Sequence, residues 1–330
     1  MSTFTRRGRI NGWDHDPEYR EGDFFGYKDV HQGVGTVDDY AGSPALINLI
    51  TSYSYWIAFA DLDGFRIDTV KHMDPGATRL ICSAIKEFAT MIGKDSFFLV
   101  GEITCGREYA FKLMQTTGLD AALGIGDVQD KLEYAVKGWA DPQEYFALFR
   151  NSELVGQGSH TWFGQHVVTS YDDHDQVRKG DHKSRFAAAP EGPPLAAAAL
   201  ALNATTLGIP CGYYGSEQAF DGQGGNDRYI REAMFGGTFG TFRSEHRHFF
   251  DETSPINAEL AAVLGVRKSE IALSRGRQYL RPISADGQQF GLPRRIGGRM
   301  TSIVAGVAYC LAARSSAPST PTSTRPETSG

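Results

Sequence analysis

The sequence predicts an α/β fold of repeated βα units around a parallel sheet, on two observations. Short apolar runs alternate with longer stretches of helical period through the middle of the chain. Cap signals punctuate them: Ser43-Pro44 and Asp74-Pro75 each set an N-cap residue before Pro at the first helical position, and Gly93 stands where the second helical stretch should stop.

In order, the first helix has apolar residues recurring at Leu46, Ile50, Tyr53 and Ile57, and ends before Asp63-Gly64. Gly64 to Asp68 reads as a strand, followed by a helix from Asp74-Pro75 to about Ile92. Phe97 to Val100 is the next strand, and a third βα unit is expected at Asp120 to Val136. A fourth strand at His166 to Ser170 precedes a polar loop and an Ala-rich helix from about Pro194 to Thr206. Ile209 to Tyr214 completes a series of five strands, with a helix at Asn257 to Leu273 after it. No internal repeat is visible.

The ends differ from the middle. Residues 1–42 are polar and turn-rich, with Asp14-His15-Asp16-Pro17, Glu21-Gly22-Asp23 and Gly33-Val34-Gly35, and read as a loop or excursion ahead of the βα region at 43–278. At 279–313 short β-like runs, Gln289 to Leu292 and Ser302 to Val304, mark the start of a small β domain. Residues 314–330 are mostly Ser, Thr and Pro, cannot bury a core and are expected to be disordered. Codons for Ala317 to Glu327 read one base later can spell a credible strand and turn, so a frameshifted tail is expected.

Composition excludes several function classes. At 330 residues with 41 % hydrophobic and 22 % charged, the chain is ordinary globular material with room for one sizeable core. Its formal charge of −6 is spread out, and no basic run can follow a phosphate backbone, so no nucleic-acid partner is expected. Leu195 to Leu202, the longest strongly apolar stretch, falls far short of the roughly 20 residues of a membrane span. Met1 to Trp13 has no apolar segment of a secretory signal, and a cytoplasmic protein is expected. Cys82, Cys105, Cys211 and Cys310 lack CxxC spacing, which argues for buried free thiols over a zinc site or disulfide framework.

Side chains alternate faces along a strand, so Arg66 and Asp68 share a face while Phe65 and Ile67 take the other. The pair reads equally as a buried ion pair that fixes register or as catalytic groups at a strand end. The run Phe97 to Val100 ends in Gly101-Glu102, which repeats the position of Asp68 one unit later. A Glu among apolar neighbours has its charged form disfavoured, which keeps a general acid protonated. Asp172-Asp173-His174-Asp175 follows the next strand but one and reads as a catalytic tract, a metal site or an exposed polar loop.

Together these elements resemble the α-amylase superfamily. Gly64-Phe65-Arg66-Ile67-Asp68-Thr69-Val70-Lys71-His72 is similar to the family's nucleophile motif on the fourth barrel strand, Gly101-Glu102-Ile103 to its acid/base motif on the fifth, and Asp173-His174-Asp175 to its third-carboxylate motif after the seventh. Tyr27-Lys28-Asp29-Val30 resembles a motif in the excursion after the third strand. Gly208-Ile209-Pro210 with Tyr214-Gly215-Ser216-Glu217 resembles the motif on the eighth. The resemblance implies a partial (β/α)8 TIM barrel, strands 4 to 8, followed by the beginning of a small C-terminal β domain.

It also implies a retaining glycosidase or transglycosidase acting on an α-glucan or α-glucoside, with Asp68 as nucleophile, Glu102 as general acid/base and Asp175 steadying the transition state. Such chemistry needs two carboxyls roughly 5–5.5 Å apart. Arg66 would keep Asp68 ionised, Lys71 and His72 would face the leaving group, and His174 would donate hydrogen bonds to sugar. Apart from the resemblance, the Gly-rich stretch Asp221 to Arg228 after the last strand suits a pocket wall and makes Asp227 a candidate binding residue. Relatives often hold a structural calcium. The family motif that supplies one of its ligands, an Asp-x-Val-x-Asn-His segment on the third strand, is absent, so no firm calcium site or other cofactor is expected. The first three βα units are expected to be missing through truncation or a misplaced start, leaving two open sheet edges. The rival reading is an inactive truncated remnant or a carbohydrate-binding homologue, and a third is a metal-dependent hydrolase using Asp172, His174 and Asp175. Exact substrate and oligomeric state are not legible.

Overall fold

The computed structural model describes residues 3–149, 159–234, 251–284, 286–293, 295–296, 299–300 and 306–309. Its centre is five parallel strands: β1 (Gly64–Ile67), β2 (Phe98–Glu102), β3 (Ala121–Leu123), β4 (Val168–Thr169) and β5 (Ile209–Pro210). They lie side by side in chain order. β1 pairs with β2 and β2 with β3, a parallel bridge from Ala122 to Val167 carries the array to β4, and β4 pairs with β5. All five therefore point their C-terminal ends the same way, and the residues that follow them collect at one rim. Among the described residues β1 is hydrogen-bonded on one side only, as is β5.

The helices are α1 (Pro44–Ala60), α2 (Pro75–Met91), α3 (Arg107–Thr117), α4 (Gly126–Lys137), α5 (Ser159–His166), α6 (Gly192–Thr205) and α7 (Pro255–Ser269). The expected caps are in place: Ser43 Oγ accepts from Leu46 N at 3.1 Å, and the Asp74 side chain accepts from Gly76 N at 2.8 Å. Each satisfies one amide that the first turn leaves without a partner. The helices bury their apolar faces in one core that includes Ile57, Ile85, Leu99, Ile103, Leu113, Val128, Leu132 and Leu200. Each such side chain contributes about 1.5–3 kcal/mol. Gly101 sits where β2 passes under two neighbours; a Cβ there would lie 2.8 Å from Leu119 Cδ1 and 3.1 Å from Val70 Cγ2. No described helix is long and apolar enough to cross a membrane.

Several boundaries differ from the sequence expectation. Helix α3 was not foreseen: its interior is polar enough to read as loop, yet Gly118 at φ +81° gives it a left-handed C-cap. His166 closes α5 instead of opening a strand, with its Nδ1 against Asp120 O. The strand expected to reach Tyr214 stops at Pro210, and α7 stops at Ser269, where Glu270 turns extended before a separate turn at Ile271–Arg275. α1 buries only Leu46 and Ile57, and Tyr55, Trp56 and Phe59 stand exposed and packed on one another.

Ahead of α1, Gly33–Gly35 pairs with Tyr40–Gly42 in a hairpin, and Asp23 accepts from Lys28 Nζ at 2.7 Å and Asp29 N at 2.8 Å. After α7, Arg277–Leu280 pairs antiparallel with Gly306–Tyr309, and Arg295–Ile296 with Arg299–Met300. The expected strand at 302–304 and the tail from 310 fall outside the described residues.

Candidate active site

Arg66 is the link between the first two acids. It projects from β1, its Nη1 donates to Asp68 Oδ1, and its Nη2 lies 3.0 Å from Glu102 Oε2 at the end of β2. Asp68 and Glu102 are thus no further apart than one guanidinium can bridge. Register explains the meeting: Arg66 pairs with Val100 and Ile67 with Gly101, so Asp68 comes level with Glu102. Thr69 N also donates to Glu102 Oε2, at 3.1 Å. To aim that amide, Thr69 adopts φ +50°, a left-handed conformation costly for a β-branched residue.

The two carboxyls differ in environment. The Asp68 side chain is 64 % exposed and that of Glu102 only 9 %. Burial pushes the Glu102 pKa up and the nearby Asp68 adds to the rise, while the Thr69 amide and Arg66 oppose it. A raised carboxyl pKa is a stability cost at neutral pH. Its contribution is complete below the unfolded value of about 4.3 and is lost as pH rises through the folded pKa. Glu102→Gln is therefore expected to raise the melting temperature at pH 7, with the gain shrinking toward pH 4; a variant no more stable than the parent at pH 7 would contradict this.

The third tract forms the opposite wall. Asp173 Oδ1 accepts from Asp175 N at 2.8 Å and from Gln176 N, while its Oδ2 accepts from Gln129 Nε2 of α4 at 2.8 Å. Gln176, the residue after Asp175, is left-handed at φ +42°, as Thr69 after Asp68 is at +50°. His174 Nε2 lies 3.1 Å from Asp175 Oδ2. That contact raises the His174 pKa and, with Arg231, holds the Asp175 carboxyl below its usual range. Arg66, Glu102, Asp173, His174 and Tyr213 line one cavity of about 520 Å³ that extends to Asp127 and Gln129 at the start of α4. Asp68 opens instead on an adjoining apolar cavity of about 330 Å³ beside α1, and Arg66 lines both.

Not every expected residue joins them. Lys71 Nζ pairs with Asp14 at 2.5 Å, and His72 Nδ1 lies 2.7 Å from Tyr19 O among the rings of Trp13, Tyr19 and Phe24. Burial pushes the His72 pKa down. Both turn toward the N-terminal excursion, because the 3₁₀ turn Val70–His72 directs them there. Asp227 Oδ2 stands 3.8 Å from Arg231 Nη2, whose own contact is Asp175. Asp172 is buried against Phe186 N and Arg185, so its oxygens do not meet those of Asp175. Among the described residues no three or more His, Cys, Asp or Glu side chains are grouped to hold a metal ion. Cys105 and Cys211 also line the cavity, and burial pushes the Cys105 thiol up to about 12 and Cys211 up as well, so both stay protonated.

Two arginines escaped the sequence reading. Arg231 carried a faint signal, its four-residue spacing from Asp227. Arg185 carried none. Wholly buried, it lies 3.2 Å from Asp172 and 3.5 Å from Glu232, donates to Tyr214 O at 2.8 Å, and lies over the Tyr213 ring. It joins the loops after β4 and β5 to the segment carrying Arg231.

The α-amylase of Streptomyces lividans is 28 % identical over 306 residues, covering 87 % of this chain and 33 % of that protein. A cyclomaltodextrin glucanotransferase of Paenibacillus macerans is 26 % identical over 273 residues, covering 78 % and 31 %. The solved structure of an Anoxybacillus α-amylase superposes with a TM-score of 0.64 at 19 % identity, covering 89 % of this chain and 57 % of that one. No family model matches. The chain spans about a third of the length of the curated relatives it matches. Parallel strands in unbroken order, with acids gathered past their C-terminal ends, define a partial β/α barrel with a carboxylate site. The chain is similar over most of its length to α-amylases and cyclomaltodextrin glucanotransferases, and shares the fold of an α-amylase.

Proposed function

We propose that the chain carries the site of a retaining glycosidase or transglycosidase acting on α-glucosidic bonds, with β1 to β5 equivalent to the fourth to eighth strands of the family's barrel. Asp68 attacks the anomeric carbon, Glu102 protonates the departing oxygen and then activates water or an acceptor sugar, and Asp175 steadies the oxocarbenium-like transition state. The observation that carries this reading is the unequal pair on Arg66: an exposed Asp beside a buried Glu whose pKa is raised. A nucleophile must be ionised and an acid protonated, and opposite environments separate the two roles. An α-glucan or α-glucoside is the substrate that fits the relatives.

The test is release of 4-nitrophenol from a 4-nitrophenyl α-glucoside and of reducing sugar from starch. Asp68→Asn is expected to cut turnover by at least about 10³-fold, since it removes the covalent step. Turnover undiminished by that change sinks the assignment. A second reading, a carbohydrate-binding homologue without catalysis, is favoured by the 64 % exposure of Asp68, since such a carboxylate stays solvated by water. Saturable maltoheptaose binding without turnover of either substrate would select it.

A further inference from the structure

We propose that Arg231 is a positioning residue for Asp175: it occupies that carboxylate while the site is empty and moves toward Asp227 when a sugar takes its place. The inference rests on the glycosidase reading for the identity of the displacing ligand. Both oxygens of Asp175 are engaged, Oδ2 by His174 Nε2 at 3.1 Å and Oδ1 by Arg231 Nη2. Arg231 Nε also donates to His174 O at 2.9 Å, so one side chain clamps the backbone and the carboxylate of the same tract. With each oxygen already on a cationic donor, the lone pair of Asp175 that Arg231 takes is closed to a sugar hydroxyl until Arg231 moves, and the carboxylate charge is largely offset.

The same Nη2 that touches Asp175 lies 3.8 Å from Asp227 Oδ2, so a second seat adjoins the first. Asp227 Oδ1 accepts no hydrogen bond and is 3.3 Å from Lys183 Nζ, whose ammonium also donates to Asp175 O. Two carboxylates and two cations alternate, and Arg231, 46 % exposed, is the cation freer to shift; Lys183 is 12 % exposed. A pair exposed to that degree is worth no more than about a salt bridge at a surface, so a ligand can exchange it without large cost. Arg231 thus keeps Asp175 ionised and aimed in the free protein and releases it on binding.

The experiment follows the His174 imidazole by NMR titration, together with maltoheptaose binding by calorimetry, in the parent, Arg231→Gln and Arg231→Lys. Arg231→Gln is expected to raise the His174 pKa in the sugar-free protein, because His174 then has Asp175 to itself, and Arg231→Lys to restore much of the original value. Maltoheptaose is expected to raise it in the parent and to add little in Arg231→Gln, which should bind the sugar a few-fold tighter, up to about fivefold. An unshifted His174 in Arg231→Gln, or weaker sugar binding there, overturns the proposal. Absence of both binding and turnover in the parent overturns the glycosidase reading instead, while the His174 shift in Arg231→Gln still decides whether Arg231 holds Asp175.

Discussion

Arg185→Met should destabilise the protein by about 3–5 kcal/mol, the usual result of removing one partner from a buried ion pair. Two carboxylates would be stranded, Asp172 and Glu232, with side chains only 2 % and 4 % exposed. Met fills much of the volume, so the loss measures charge and hydrogen bonding more than packing. The affected loops carry Asp173 to Asp175, Tyr213 and Arg231, and turnover should fall with stability. Urea unfolding checks the magnitude. Adding Asp172→Asn should recover part of the loss, because the orphaned charge is gone. A change under about 1 kcal/mol, or a double variant worse than the sum of the singles, would show that Arg185 is not the hub described.

Glu133→Gln should have an effect of similar size for the opposite sign of charge. Glu133 in α4 meets Lys137 Nζ at 2.9 Å, Arg178 Nη2 at 2.6 Å and Lys179 Nζ at 3.2 Å, with Glu133 and Lys137 each 2 % exposed. Without its charge, three cations crowd together, offset by Asp130 on Arg178 Nε at 2.7 Å and by the field of Asp172 on Lys179. A loss of about 3–5 kcal/mol at pH 7 follows. Burial works to raise the Glu133 pKa, but Lys179, Arg178 and Lys137 together outweigh it and hold the carboxyl below its ordinary range. A depressed pKa contributes stability above the unfolded value of about 4.3, and that contribution is lost as pH falls through the folded one. The gap between parent and Glu133→Gln should therefore be widest near neutrality and close on acidification. A gap independent of pH would assign the loss to packing.

Both clusters serve the same end. Arg185 ties the rim loops to each other, and the Glu133 cluster ties α4 to the Arg178–Lys179 turn that follows Asp175. The carboxylate tract is held from both sides by buried charge, where a purely apolar contact would not fix the direction of Asp173 and Asp175.

The sequence by itself determined the order of the five strands and of helices α1, α2, α4, α6 and α7, the caps at Ser43 and Asp74, and the strand-end places of Asp68, Glu102 and the Asp173 to Asp175 tract. These follow from neighbours in the chain: alternation in a strand, an amide left over at a helix start, a polar residue where an apolar run ends. α3 was within reach too, through Gly118, had its polar face been weighed against its cap.

Tertiary structure alone decided which groups meet. Arg66 bridges Asp68 and Glu102 only because β1 and β2 pair in one register, and the left-handed backbone of Thr69 serves a hydrogen bond from its amide to Glu102, 33 residues away in the chain. Lys71 and His72 look equally well placed in the sequence, yet their partners are Asp14 and Tyr19, more than fifty residues away. Arg185 and Arg231 are single residues in irregular loops; nothing near Arg185 in the chain marks it, and Arg231 has only its spacing from Asp227. A long side chain acquires its role from whatever charge folding brings within reach, and that depends on contacts between remote segments.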